Sequence, residues 1–412
     1  MSERAQPRHV VVIVRTLLTA FGGAEHAAAL HAAGLRRRGC EVTVLTDGDG
    51  DRSHPYFVML RDSGVNLVTP TRWTRRTLVR RLALAMRPLA LPFYLLLRPK
   101  ALGAAWRSLA AVVDTLLHRL EHRSVTGLIE RCAAGADSCI VHIYGQEGLT
   151  PVIASWGAAA GIPVVYTETG EADAVYADRF NLRGTIDSIN TIPLVICCGP
   201  RVARNIRTVY GYRGSIEEMP FLIEDPAEHA DAPHDGVALG IVGRLVEHKG
   251  HRDAIWAVAR LRADGLPVTL LVAGDGPIGE ALRTYAGEQG AREAVSFIGP
   301  FEHVHDVLSK IDVLVLPSTS EGQPLAITEA MAHGKPVVST WFGGIPDLVA
   351  HERTGLLIRP GHRDELLAAL RRLICDADLR RRMGEAARAD YFAHRSNGAV
   401  LDRIDLAYQA VR

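Results

Sequence analysis

Short apolar runs of strand length recur along the whole chain. They are rich in Val, Ile and Leu, and segments of helical length separate them, which predicts parallel strands joined by crossover helices. The predicted strands are residues 10–14, 42–45, 139–143, 162–167, 194–198, 218–223, 237–242, 268–272, 295–298, 313–316, 337–340 and 356–358. Glycines and helix-like segments follow several of them. The pattern therefore predicts an α/β protein built from two βαβ series.

The polar segment 224–236, which contains two prolines, divides these two series and is the best linker in the sequence. We expect an N-terminal Rossmann-like domain over residues 1–224 and a C-terminal Rossmann-like domain over residues 237–390. Helices fill the tail, and we expect residues 391–412 to form a helix that packs back on the first domain. A length of 412 residues agrees with two domains, because single cores stop growing near about 250–300 residues.

Composition narrows the class of protein. A hydrophobic content of 48% with 23% charged residues is typical of a globular chain, and a net charge of +1 argues against a general nucleic-acid binder. The six cysteines show no CxxC metal spacing and are expected to be reduced, mostly core residues of a cytosolic protein. No signal peptide or bilayer-spanning run is apparent, so we expect a cytoplasmic location.

Residues 72–123 differ from the rest of the chain. They hold eleven basic and two acidic residues, a net charge of +9, so the remainder of the chain carries −8. Arginines alternate there with apolar and aromatic side chains, a pattern typical of helices that lie on an anionic membrane surface. The alternative is a pair of core-packing helices with a solvated basic face. The first interpretation predicts peripheral contact with the inner face of the membrane.

Two glutamates, Glu321 and Glu329, lie on either side of a predicted helix start in residues 318–347. Pro324 suits the first helical turn, because its missing N–H would have no intrahelical partner there. A helix N-terminus favours a phosphate or diphosphate, and neighbouring carboxylates could bind the hydroxyls of an attached sugar. The stretch therefore indicates a nucleotide-sugar site. The alternative is an ordinary strand–loop–helix unit with solvated glutamates.

Arg244 and Lys249 flank the turn after the first strand of the second series, where both could face one anion. The N–H groups of Gln323, Leu325 and Ala326 would face the same place. A leaving diphosphate needs positive charge and no strong general acid. With two cations and a helix terminus available, we expect no metal and no cofactor.

Seven motifs occur in order: GGAE (22–25), GRL…KG (243–250), AGDGP (273–277), EGQP…E (321–329), EAMAHGKPVV (329–338), GG-P-LV (343–349) and TGLLI (354–358). Together they resemble glycosyltransferase family 4, a group of GT-B-fold enzymes that retain the anomeric configuration of the donor. The resemblance covers nearly the whole chain and is strongest from 237 to 360. It implies a GT-B fold here, with two Rossmann-like domains facing across a cleft.

The resemblance also implies roles for individual residues. Glu321 would hold hydroxyls of the donor sugar, and Glu329 would hold the ribose hydroxyls. The implied catalytic residues are Arg244, Lys249, Glu321, His142 and Thr169. The implied donor-binding residues are Gly22, Gly23, Gly243, Arg244, Lys249, Gly274, Gly299, Glu321, Gly322, Gln323, Pro324, Leu325 and Glu329.

Two positions depart from the family pattern. Thr169 stands where the family commonly has a histidine, in the segment 167–170, and threonine can hydrogen-bond a hydroxyl but cannot carry positive charge. Residues 221–224 replace an Asn-Gly turn that is usual before the linker. Both changes lie on the acceptor side or at the domain boundary.

The leading hypothesis is a bacterial, metal-independent, retaining glycosyltransferase. It would move a hexose-type sugar from a nucleoside diphosphate sugar to a hydroxyl of a cell-surface glycan, a glycolipid or a natural product. The alternatives are a nucleotide-sugar epimerase of the same fold and a catalytically silent donor-binding subunit. The sequence does not indicate the base, the sugar, the acceptor or the oligomeric state.

Overall fold

The structure is a computed structural model, and it describes residues 9–14, 17, 23–46, 53–69, 125–134, 136, 138–145, 150–170, 172, 189–226, 235–301 and 303–411. Two separate sheets organise these residues, and every strand pair in both is parallel. Helices cover both sheets. The prediction of two Rossmann-like α/β units is confirmed.

The first sheet has seven strands in the order β3-β2-β1-β4-β5-β6-β7. Its strands are β1 (His9–Ile13), β2 (Glu41–Leu45), β3 (Asn66–Val68), β4 (Cys139–Tyr144), β5 (Val164–Glu168), β6 (Leu194–Cys197) and β7 (Ser215–Glu218). Its helices are α1 (Gly23–Arg37), α2 (Pro55–Asp62), α3 (Thr150–Ala160) and α4 (Pro200–Thr208), and residues 125–134 are also helical.

The second sheet has six strands in the order β10-β9-β8-β11-β12-β13. Its strands are β8 (Val237–Val242), β9 (Val268–Ala273), β10 (Val295–Gly299), β11 (Val313–Leu316), β12 (Val337–Thr340) and β13 (Gly355–Ile358). Its helices are α5 (His251–Ala263), α6 (Gly279–Glu288), α7 (Val304–Leu308), α8 (Leu325–Ala332), α9 (Ile345–Leu348), α10 (Arg363–Cys375) and α11 (Ala377–His394). The final helix is α12 (Asn397–Ala410).

Two strands at the edges of the first sheet were not predicted correctly. β3 was missed, because Asn66–Val68 is only three residues long and none of the three is buried. β7 lies at Ser215–Glu218, a mostly exposed edge strand, whereas the prediction placed it at the apolar residues 218–223. Met219 and Leu222 are buried in the core; Met219 N still donates to Cys197 O of β6 at 2.9 Å, but the paired register ends at Glu218.

Helix α12 leaves the second domain and packs on the first sheet. Val400, Ile404 and Tyr408 belong to the same apolar cluster as Val10 of β1. Gly34 of α1 permits this approach, because a Cβ at that position would lie 2.7 Å from a methyl carbon of a leucine in α12. The C-terminal helix thus ties the two halves of the chain together.

Three further predictions concern the basic segment, membrane-spanning helices and the cysteines. The basic segment 72–123 lies outside the described residues. Of the helices that are described, none is both long and apolar enough to cross a bilayer. All six cysteines are free thiols; Cys40, Cys197 and Cys198 are buried, but Cys375 is exposed, so it is not a core residue.

Candidate active site

The order of strands in each sheet marks where a ligand can bind. In the second sheet the chain runs outward from β8 in one direction and then outward from β11 in the other, so the order reverses between these two strands. Open parallel sheets bind ligands beyond the carboxyl ends of the strands at such a switch point. The loops that follow β8 and β11 are residues 243–250 and 317–324, and they contain most of the predicted site residues.

Lys249 and Glu321 form an ion pair across these two loops. The ammonium Nζ donates to Glu321 Oε1 at 2.6 Å and to Oε2 at 2.9 Å. The Glu321 side chain is 7% exposed and that of Lys249 is 19% exposed. Gly250 makes this proximity possible, because it has φ +76° and a Cβ there would lie 2.4 Å from the carbonyl oxygen of Pro317. The pair fixes both side chains at the start of α8.

Three glycines form the neighbouring edge of the site, two of them directly after β8 and β9 and the third at the end of β10. Gly243 N donates to Ala273 O at 3.0 Å, and Gly274 N donates to Gly299 O at 2.8 Å. Gly274 has φ +130°, and a Cβ on it would lie only 2.0 Å from Gly243 O. The glycines therefore allow the three loops to pack backbone against backbone. The exposed side chain of Arg244 lies directly after this edge.

Helix α8 begins at Leu325, as the sequence predicts to within one residue. Pro324 is its N-cap, with extended backbone at φ −73° and ψ 108°, and no side chain caps the first turn. The first N–H groups of a helix have no intrahelical acceptor and favour an anion. The helix start therefore presents its positive end beside the Lys249–Glu321 pair.

Glu329 lies one turn into α8 and is buried, with 7% of its surface exposed. Within the described part of the chain, no hydrogen bond or ion pair reaches its carboxylate. Burial, and to a smaller extent the negative charge of Glu224, raises the pKa of Glu329 to about 7. Glu321 and Glu329 thus have equal exposure, but among the described residues only Glu321 has a cationic partner.

The first domain contributes backbone from two of its loops. A Cβ on Gly23, the first residue of α1, would lie 3.1 Å from Leu325 Cδ1. A Cβ on Gly322 would lie 3.6 Å from the carbonyl carbon of Gly170 and 3.8 Å from Thr169 O. The structure thereby brings Thr169 to the same cleft as Glu321. Gly22 lies outside the described residues.

His142 does not reach this cleft, which corrects the position that the resemblance implies. It lies within β4 and is fully buried. Its Nδ1 is 2.6 Å from Tyr408 Oη, and its Nε2 is 2.6 Å from Thr167 Oγ1. Burial holds the pKa of His142 well below its usual range. The physical reason is that β4 extends to Tyr144, which keeps His142 inside the sheet, where α12 covers it.

Sequence reasoning assigned only a backbone N–H to Gln323 and no role to Asp347. In the structure both side chains reach the first domain. Gln323 Oε1 accepts from Phe221 N at 2.9 Å, and Asp347 lies against Gly199. Nothing in the local pattern distinguishes these side chains from solvated loop residues, because their partners come from distant parts of the chain. Within the described ranges, no group of three or more His, Cys, Asp or Glu side chains is placed to hold a metal ion.

The C-terminal half of the chain matches a known family. Residues 225–390 match the family described as Glycosyl transferases group 1. Among curated proteins, the chain is 34% identical to 2-deoxystreptamine glucosyltransferase of Streptomyces kanamyceticus over 194 residues, which is 45% of this chain and 50% of that protein. It is 35% identical to the amylovoran biosynthesis glycosyltransferase AmsK of Erwinia amylovora over 151 residues, or 35% of this chain and 37% of that protein.

The matches to these two relatives thus span half of their length or less. Solved structures cover the whole chain. Anabaena Alr3699/HepE in complex with UDP has a TM-score of 0.73 at 19% identity, over 98% of this chain and 100% of that one. TarM has a TM-score of 0.72 at 12% identity, over 99% of this chain and 100% of that one. The two parallel-sheet domains therefore have the GT-B fold that the sequence predicts.

Proposed function

We propose that this chain is a metal-independent retaining glycosyltransferase, which moves a hexose-type sugar from a nucleoside diphosphate sugar to an acceptor hydroxyl. The observation that carries the proposal is the pair of equally buried glutamates at the start of α8, one held by Lys249 and the other without a partner in the described residues. A buried carboxylate without a partner is costly unless a ligand supplies hydrogen bonds. Glu329 next to a helix N-terminus fits the ribose hydroxyls of a nucleotide whose diphosphate lies at that terminus.

Lys249 would act on the diphosphate while it remains paired with Glu321. An ammonium group has three N–H donors, and Glu321 uses two of them in this structure. The third is left for a diphosphate oxygen, and Arg244 adds a second positive charge at the same edge. Together with the first N–H groups of α8, they would stabilise the charge that develops on the leaving diphosphate. This arrangement needs no general acid.

The proposed reaction takes place on one face of the sugar. The bond between the anomeric carbon and the diphosphate oxygen breaks, and the acceptor oxygen bonds to the anomeric carbon from the same side. The acceptor proton passes to an oxygen of the leaving diphosphate, which keeps the proton balance. Glu321 would orient the sugar hydroxyls, and Thr169 would face the sugar from the first domain. One neighbour, Anabaena Alr3699/HepE, was solved in complex with UDP and with UDP-glucose, which favours uridine as the base.

The acceptor belongs to the same proposal. We propose a hydroxyl on a cell-surface glycan, a glycolipid or a natural product, reached from the cytoplasm. The curated relatives include a glucosyltransferase named for 2-deoxystreptamine and a glycosyltransferase named for amylovoran biosynthesis. These names support the set of acceptor classes but favour none of them. The basic segment 72–123 would contact the anionic membrane surface. Salt-sensitive binding of the folded protein to anionic vesicles tests this contact.

A thermal-shift panel of uridine, guanosine and adenosine diphosphate sugars identifies the donor, because a ligand that binds only the folded state raises its apparent stability. Turnover is then measured with and without acceptors. We expect Lys249→Ala and Glu329→Ala each to lower donor-dependent turnover by about 100-fold or more. Near-normal activity in either variant contradicts the site assignment. Donor consumption that needs no acceptor indicates an epimerase or a hydrolase, and tight donor binding without turnover indicates a silent binding subunit.

A further inference from the structure

The side chain of Gln323 connects the two domains at the loop that carries Glu321. Its Oε1 accepts from the backbone N–H of Phe221 at 2.9 Å, and its Nε2 donates to the carbonyl of Cys198 at 3.3 Å. Cys198 follows β6, and Phe221 lies in the segment that leads to the linker. One planar amide therefore holds two separate backbone segments of the first domain.

A second contact reinforces this connection from the neighbouring loop. The carboxylate of Asp347 in α9 lies against Gly199, where a Cβ would be 2.9 Å from Asp347 Oδ2. Gly344 N donates to Gly322 O at 3.0 Å, which joins the loop after β12 to the loop that carries Gln323. The two loops of the second domain consequently contact adjacent residues, Cys198 and Gly199, at the carboxyl end of β6.

We infer that Gln323 is a positioning residue, whose side chain holds the cleft closed and thereby sets Glu321 opposite Thr169. The side chain faces the first domain, so it is not in contact with a nucleotide in the second. An amide suits this place because it supplies one donor and one acceptor, matching the carbonyl of Cys198 and the N–H of Phe221. Glutamate would supply only acceptors, and methionine would supply neither group.

Opening of the cleft would break both hydrogen bonds together. The N–H of Phe221 would then exchange with solvent, while the neighbouring N–H of Ile223 would remain bonded to Asn397 Oδ1, 3.2 Å away in this structure. Ile223 therefore serves as an internal reference within the same short segment. The effect on catalysis rests on the proposed function, but closure itself can be measured without any substrate.

The first experiment is hydrogen–deuterium exchange of the full-length, ligand-free protein and of Gln323→Met. The expected result is that exchange at Phe221 becomes about 10-fold faster or more, as the loss of a hydrogen bond of ordinary strength allows, while exchange at Ile223 is unchanged. The radius of gyration from small-angle scattering should also increase. Gln289→Met is the control, because Gln289 caps α6, far from the boundary, and it should behave as the wild type. A folded Gln323→Met protein in which Phe221 is as protected as in the wild type would overturn the inference.

The second experiment separates positioning from binding. With UDP as the probe, nucleotide affinity of Gln323→Met should stay within about twofold of wild type, while kcat falls by about 10-fold or more. Gln323→Glu, which retains the acceptor for Phe221, should have an intermediate kcat. Equal losses of UDP affinity and of kcat would assign Gln323 to the nucleotide site instead. If the wild type transfers no sugar at all, the proposed function fails, and the exchange measurement still decides whether Gln323 closes the cleft.

Discussion

The pair Glu321 and Glu329 offers a comparison in which burial is constant and only the electrostatic partner changes. Each glutamate is 7% exposed, but within the part of the chain that the structure describes a cation, Lys249, pairs only with Glu321. We predict that Glu329→Gln stabilises the ligand-free protein at pH 8, while Glu321→Gln destabilises it. Glutamine is nearly isosteric with glutamate, so both substitutions change charge and leave volume almost the same.

The magnitude follows from the pKa of Glu329. Burial and Glu224 raise this pKa to about 7 from an ordinary value of 4.5. At about 1.4 kcal/mol per pH unit, ionising Glu329 in the folded protein costs about 3 kcal/mol once the pH is well above 7. Because the folded pKa lies above the unfolded one, the folded state binds the proton more tightly, and stability falls as the pH rises from about 4.5 through about 7. Most of this loss, about 2–3 kcal/mol, lies between pH 5 and pH 8.

Glu329→Gln does not titrate and so escapes this loss. Urea unfolding of the wild type and the variant at pH 5 and pH 8 should show a stability difference that moves in favour of the variant by about 2–3 kcal/mol between the two conditions. Glu321→Gln leaves the ammonium of Lys249 without its carboxylate and should cost about 1–3 kcal/mol at pH 8. A difference between Glu329→Gln and wild type that is the same at both pH values refutes the reasoning, as does stabilisation by Glu321→Gln.

Three further predictions follow from the same contacts. His142→Ala should destabilise the protein by about 3 kcal/mol, because it removes the two buried hydrogen bonds of the imidazole to Tyr408 and Thr167 and leaves a cavity, while kcat per folded molecule stays within about threefold; a collapse of kcat in folded protein would return His142 to the site. Gly274→Ala should fail to fold stably, because its Cβ would overlap Gly243 O, whereas Gly361→Ala, which also has a positive φ but nothing within 4 Å, should cost only about 1–2 kcal/mol in thermal unfolding. Affinity for UDP, measured by calorimetry, should fall by up to about 10-fold for each pH unit below 7, because Glu329 becomes protonated. An affinity that is independent of pH would show that the charged carboxylate of Glu329 does not bind the nucleotide.

The second domain was largely predictable from sequence, for a physical reason. Parallel strands covered on both faces are continuous apolar runs, and β8, β11 and β12 begin and end where those runs do. The site loops were predictable too, because glycines and a proline at strand ends mark turns and a helix start. The first sheet was less predictable at its edges, where β3 and β7 are short and poorly buried.

What the sequence did not predict is which side chains meet. Lys249 and Glu321 were each expected to face the donor, but they are 72 positions apart, and no local pattern shows that they pair. His142 was placed at a strand end, although its strand runs on to Tyr144 and the last helix of the chain supplies its partner, Tyr408. These contacts depend on the packing of distant segments, which periodicity and turn chemistry do not specify.

The buried carboxyl group of Glu329, which has no partner among the described residues, connects stability with ligand binding. Raising the pH ionises Glu329, which weakens the fold but prepares the carboxylate to accept hydrogen bonds from hydroxyls. Loss of the Glu329 proton therefore lowers the stability of the ligand-free protein and raises its affinity for a nucleotide between about pH 4.5 and pH 7. Glu321 has no such opposition between stability and affinity, because the ammonium of Lys249 balances its charge in the ligand-free protein. A nucleotide that hydrogen-bonds Glu329 thus stabilises the folded state most at high pH, because there it offsets a cost that the ligand-free protein bears alone.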